Sequence, residues 1–216
     1  MIRHAEEVMG TVVSFVLRLD GLTEAAGREA LDRACTTLHR ADALFSTYRP
    51  DSPMSRLRRG EITVQDAPAD LQDVLELCRT ARRASGGWFD PWALPGGVDP
   101  TGLVKGWAAA RALEDLRAAG VPAAMVNAAG DAAVFGLPDS DRSWRVGITD
   151  PLRPGALAWT TDVGAAIATS GTGERGAHIL DPYAGGPSRA VLSATVTGPE
   201  RARADALATA VAAGGH

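Results

Sequence analysis

Ala204-Asp205-Ala-Leu-Ala-Thr209 sets a carboxylate and a hydroxyl four residues apart, so on a helix both oxygens project from one face. Hard oxygen donors of this kind suit Mg2+, which takes one or two protein carboxylates and completes its octahedron with phosphates and water. A solvated acid in an alanine-rich helix is the plainer alternative. Upstream, Asp99-Pro-Thr-Gly102-Leu-Val-Lys105-Gly106-Trp107 carries a loop into a helix. Backbone amides at such an N-terminus, beside a lysine, make a phosphate cradle or simply an ordinary capped helix. His178-Ile-Leu-Asp181-Pro182 pairs a titratable ring with a carboxylate in a glycine-rich stretch. That arrangement suits a general base, although a lone histidine is often structural.

Two further clusters add to this set. Asn127-Ala-Ala-Gly130-Asp131 ends an apolar run in a Gly-Asp pair, which reads as a β-turn before it reads as a site. Trp88, Phe89 and Trp92 crowd a loop from Gly86 to Gly102 and could stack on a planar ring. A metal donor pair, a phosphate cradle, a base and aromatic faces are the inventory for cleaving a dinucleotide pyrophosphate. Gly171-Thr-Gly173-Glu-Arg-Gly176 also matches G-x-G-x-x-G. The dinucleotide fingerprint needs a helix opening at those glycines, and Ala177-His-Ile-Leu-Asp-Pro182 cannot hold one. A flexible turn presenting His178 is the expectation there.

Several elements must position these residues. Val8 to Leu19 is β-branched and predicts an opening strand. Thr23 caps a long amphipathic helix with Leu31, Ala34, Cys35, Leu38 and Phe45 at helical spacing, ending before Pro50. A second helix follows Pro68, and a third runs from Leu103 to Ala119 and stops at Gly120. Short strands are predicted around Met125–Val126, Val134–Phe135, Arg145–Ile148, Val163–Thr169 and Val191–Val196, before an alanine-rich helix from about Pro199. Helices fall in the first half and strands in the second, without βαβ alternation. That order favours an α+β fold with a largely antiparallel sheet, as one domain over residues 1–216.

Composition narrows the field. The chain has 216 residues, 45% of them hydrophobic and 22% charged, with a net charge of −4. These values fit a globular protein and argue against a nucleic-acid binder that works through bulk positive charge. Lys105 is the single lysine among 22 basic residues, an excess of arginine that reads as compositional bias. Cys35 and Cys78 lie far apart on predicted apolar stripes, without the clustered pairs of a zinc site, and read as buried small hydrophobes. No stretch approaches a membrane span or a leader, so the chain as written is expected in the cytoplasm. A removed leader would instead allow an extracytoplasmic or membrane-associated place.

Read together, the blocks resemble the ApbE family, the FAD:protein FMN transferases. The resemblance rests, in chain order, on Met9-Gly10-Thr11, Phe45 to Ser52, Gly87-Trp88-Phe89-Asp90-Pro91, Asp99 to Gly106, Asn127 to Asp131, Gly147-Ile148-x-Asp150-Pro151, Thr169-Ser170-Gly171, His178 to Pro182 and Ala204 to Thr209. It implies a T-fold-like α+β domain that binds FAD with Mg2+. The implied reaction moves the FMN half onto a Thr or Ser hydroxyl of an acceptor flavoprotein and releases AMP. The resemblance also suggests that the acceptor is a subunit of a respiratory or Rnf-type redox complex. By the same resemblance Met9, Tyr48, Trp88, Phe89, Asp90, Asp99, Lys105, His178 and Ile179 contact FAD. Asp205, Thr209 and the Gly102 carbonyl ligate the metal, and His178 and Asp205 carry catalysis.

Three departures from the family pattern stand out. The stretch between Pro91 and Asp99 is short, Ala129 replaces the first glycine of a Gly-Gly-Asp turn, and the family usually continues further past the last helix. An FAD pyrophosphatase, with water as nucleophile, and a non-enzymatic FAD carrier are the competing readings of the same residues.

Overall fold

The computed structural model describes residues 1–94, 96–139, 141–172 and 179–215. The chain opens as a hairpin, β1 (Ile2–Val8) and β2 (Thr11–Arg18), where the β-branched run predicts a single strand. Met9 and Gly10 make the turn with φ of 55° and 66°. Two successive positive φ values close a tight hairpin without splaying its strands. The Met-Gly-Thr block is therefore a bend, and it delivers the Met9 side chain to the end of the sheet.

Thr23 caps α1 (Glu24–Phe45), its hydroxyl accepting the Ala26 N–H at 3.2 Å. Leu31, Ala34, Leu38, Ala41 and Phe45 form the buried stripe. Ser52 caps a short α2 (Pro53–Arg58) that no periodicity announces. Next come α3 (Ala69–Ala84) and α4 (Thr101–Ala118), the latter starting two residues before the predicted Leu103. A second hairpin follows, β3 (Ala123–Ala128) and β4 (Asp131–Phe135), then β5 (Trp144–Thr149), β6 (Leu157–Val163) and β7 (Ala166–Gly171). Two short strands, β8 (Leu180–Asp181) and β9 (Gly186–Pro187), lead to β10 (Ser193–Gly198) and α5 (Arg201–Gly214). The predicted strand Val163–Thr169 thus splits between β6 and β7.

The main sheet is antiparallel throughout, in the order β1-β2-β3-β4-β7-β10. The fold is α+β, as its element order predicts. One face buries Val13, Phe15, Leu17, Ala124 and Val126 against the apolar stripes of α1 and α4. On the other face Trp144 and Val163 from the separate β5–β6 pair cover Ala123, Val134 and Ile167. Cys78 is buried as expected, but Cys35 is only half-buried.

Ala129, at the tip of the β3–β4 hairpin, adopts φ 55°. Alanine here therefore takes the left-handed turn and carries its steric cost, roughly 1–2 kcal/mol for a Cβ in that region. Ala129→Gly is expected to raise unfolding free energy by about 1 kcal/mol, seen as an upward shift of the urea midpoint at unchanged slope.

Candidate functional site

A cavity of about 520 Å³ opens between the β1–β2 turn, the C-terminal end of α1, the loop before α4, the end of β7 and one face of α5. Met9, Tyr48, Trp88, Phe89, Asp90, Asp99, Gly102, Lys105, Ile179, Asp205 and Thr209 all line it. Residues spread over nearly the whole chain thus converge on one wall-and-floor arrangement. His178 lies outside the described residues, as do Gly173 and Gly176 of the G-x-G-x-x-G match. Trp92 does not reach the cavity; Arg79 lies over its ring, 5.8 Å from the centroid.

The floor is where α4, α5 and β4 meet. Asp205 is 2% exposed, and its Oδ2 accepts the Gly106 N–H at 3.1 Å. Asp131, 4% exposed, accepts from Lys105 Nζ at 2.7 Å and from the Thr169 N–H at 3.0 Å. Thr209 shares a 3.1 Å hydroxyl–hydroxyl hydrogen bond with Ser170. Burial pushes the Asp205 carboxyl up to about 7, and the neighbouring Asp131 charge adds to this, while Lys105 and the Gly106 amide oppose it. Asp205 lines the cavity, and the two buried acids share one lysine there. Small residues permit this crowding: a Cβ on Gly106 would lie 2.8 Å from the Arg201 carbonyl oxygen and 3.1 Å from Asp205 Cβ. Gly106→Ala should therefore push α4 away from α5 and cost roughly 1–3 kcal/mol, by analogy with other overpacked cores, read by urea unfolding.

The donor set fits Mg2+. Asp205 and Thr209 offer oxygen only, and an ideal Cβ on Gly102 would sit 3.3 Å from Thr209 Oγ1, so the first turn of α4 abuts the same spot. A hard dication answers the unbalanced charge of the acid pair. Asp131 holds the Lys105 ammonium at 2.7 Å beside that spot.

The walls are built by loops anchored to helices. Arg82 Nε donates to Asp90 Oδ2 at 2.7 Å, and the Trp92 N–H donates to the other oxygen at 3.0 Å. Asp90 therefore shapes its loop as much as it faces the cavity. Asp99 accepts the Thr101 N–H at 3.0 Å, in front of the α4 N-terminus, with Arg58 3.9 Å away. Trp88 stands edge-on to Tyr183 at 4.8 Å between ring centroids, and α5 packs against it at Gly214. Phe89 is buried beneath, whereas Tyr48 is 94% exposed on the opposite lip. Flat aromatic surface on two sides and a charged floor suit a ligand with a planar ring system and phosphates.

Sequence reasoning singled out the Asn127–Asp131 block without giving Asp131 a role. Its partner Lys105 is 26 residues upstream, and no local spacing marks that pair. Arg58, which donates to the Gly96 carbonyl at 2.9 Å and steadies the loop before α4, carries no sequence signal either.

Comparison with known proteins bears on this geometry. The profile of the ApbE family matches residues 9–97 and 93–216. Over 128 residues, 55% of this chain, the sequence is 38% identical to an FAD:protein FMN transferase of Rhodobacter capsulatus; the chain spans 24% of that relative's length. An ApbE protein from Thermotoga maritima superposes with a TM-score of 0.86 at 22% identity, covering 98% of this chain and 86% of the other. A flavin transferase ApbE from Vibrio cholerae gives 0.82 at 21% identity, covering 97% and 85%. At such identities the superpositions speak for the fold, and the profile match, running almost end to end, shows that the chain belongs to the ApbE family.

Proposed function

We propose that the chain is an Mg2+-dependent FAD:protein FMN transferase. The observation that carries the reading is the cavity floor, where Asp205, Thr209 and the Asp131-held Lys105 face a space walled by Trp88, Phe89 and Tyr48. Asp205, Thr209 and the Gly102 carbonyl would hold Mg2+, which supplies positive charge to pyrophosphate oxygens when bound. Lys105 adds its own charge to the non-bridging oxygens, and Asp131 keeps the ammonium in place. Phosphoryl transfer depends chiefly on such positioning and neutralisation. The aromatic walls would orient the flavin, and burial of the floor limits competing water.

In the proposed step a Thr or Ser hydroxyl oxygen of an acceptor flavoprotein bonds to the FMN-side phosphorus. The bond from that phosphorus to the bridging oxygen breaks, AMP leaves with that oxygen, and His178 takes the hydroxyl proton. The test is purified protein with FAD, Mg2+ and an acceptor carrying an Asp-x-x-Thr or Asp-x-x-Ser target. An FMN-modified peptide in the mass spectrum together with AMP is expected. AMP with free FMN, independent of acceptor, would make the chain a pyrophosphatase; FAD bound without AMP would make it a carrier.

A further inference from the structure

We propose that His4, Glu6 and Cys35 form a second metal site, for a borderline-soft dication of the Zn2+ type, where β1 meets α1. One donor atom from each of the three side chains lies within 4.8 Å of the other two. His4 Nε2 is 2.9 Å from Glu6 Oε2, and His39 Nε2 is 2.6 Å from Glu6 Oε1. Two of the chain's four histidines and one of its two cysteines thus gather around one carboxylate.

Local geometry makes the cluster a consequence of element type. Along β1 the pattern alternates, with Ile2, His4, Glu6 and Val8 on the more buried face and Arg3, Ala5 and Glu7 exposed. His4 and Glu6 therefore share a face, as residues two apart on a strand must. Cys35 and His39 are i and i+4 on α1, so they share a helical face. A strand H-x-E opposite a helical C-x-x-x-H brings nitrogen, oxygen and sulfur donors together. This mixture is foreign to Mg2+ or Ca2+, which want oxygen alone. It is the ordinary donor set of Zn2+.

The distances require only small adjustment. Bonds of roughly 2.0–2.3 Å in tetrahedral geometry bring donors to within about 3.3–3.8 Å of each other. Side-chain rotation of the half-buried His4 and Glu6 covers the difference. His39, held on the far carboxylate oxygen, would orient Glu6, the usual task of an outer partner at such centres. Burial and the Glu6 charge push the Cys35 thiol up to about 12, so without metal it is protonated and unreactive. A dication between them offsets the Glu6 charge; the metal–sulfur bond replaces the S–H bond and the proton goes to solvent. The bound ion would pin β1, the edge of the main sheet, to α1.

The experiment titrates the purified, chelator-treated chain with Co2+ as a spectroscopic probe and then competes with Zn2+. A thiolate-to-cobalt charge-transfer band at one equivalent, displaced by Zn2+, is expected. Cys35→Ser and His4→Ala should each remove the band, while Cys78→Ser and Asp205→Asn should keep it. His39→Ala should weaken Zn2+ affinity roughly ten- to hundredfold. If a variant does not fold, proton release from the parent chain replaces it: a weakly buffered Zn2+ titration at about pH 8 should release roughly one proton per ion bound, the one displaced from Cys35. The absence of a band in the parent, a band that survives Cys35→Ser, or Zn2+ binding without proton release would overturn the site.

Discussion

Asp205→Asn is expected to lower FMN transfer by roughly 10²- to 10³-fold and, without metal, to leave the protein more stable than its parent at about pH 8. The two effects share one cause. The amide oxygen introduced by the substitution would still accept the Gly106 N–H, now 3.1 Å from Asp205 Oδ2, so packing and that hydrogen bond persist. What disappears is a buried charge. In the metal-free parent the carboxyl is pushed up to about 7, against about 3.9 in an unfolded chain. Below the unfolded value both states are protonated and no penalty exists. As pH rises from about 4 to about 7 the unfolded state releases its proton first, so stability falls across that window and stays low above it. The asparagine variant lacks this slope. Thermal melts in chelator should therefore diverge at about pH 8 and coincide near pH 4. Adding Mg2+ should raise the melting temperature of the parent chain at pH 8 and leave the variant unmoved. Equal stability of the two proteins at pH 8 would mean that the carboxylate is not strained by its surroundings.

That result would also explain what was legible in the sequence. Asp205 and Thr209 announce themselves because a helix converts a spacing of four into a shared face, and their oxygen donors define the metal class. The α+β order could be read from periodicity, as could the long α1 with its Thr23 cap. The β1–β2 turn could not, because Met9-Gly10 is a two-residue break between β-branched residues and a methionine gives no sign of the positive φ it takes. The six-residue α2 is too short for any hydrophobic period to register. Long-range pairs stayed hidden for a different reason. Lys105 and Asp131 meet because α4 packs on β4, and only the assembled sheet brings their segments together. Cys35 reads as part of an apolar stripe on α1 alone; its half-buried place beside Glu6 depends on β1, an element with little hydrophobic signal of its own.

Asp131→Ala removes the same charge as Asp205→Asn but should act in the opposite direction, destabilising the metal-free protein by about 2–3 kcal/mol. Asp131 is satisfied on both oxygens, by Lys105 at 2.7 Å and by the Thr169 N–H at 3.0 Å. Truncation orphans a strand amide and releases a charge-assisted bond, each worth roughly 1–3 kcal/mol. Relief of the repulsion with Asp205 offsets part of that loss, which is why the sum is less than both bonds together. Lys105→Met should also destabilise, because it takes the Lys105 cation away from two buried acids. In the Asp131→Ala background the same substitution has less to lose, so the double variant should be more stable than additivity predicts, by about 0.5–3 kcal/mol. Urea unfolding of the four proteins in chelator measures this coupling directly. Strict additivity would show that the lysine is held by other groups. A coupling within the expected range would make Asp131 the residue that lends Lys105 its position, and flavin transfer should then fall in both single variants while FAD still binds between the aromatic walls.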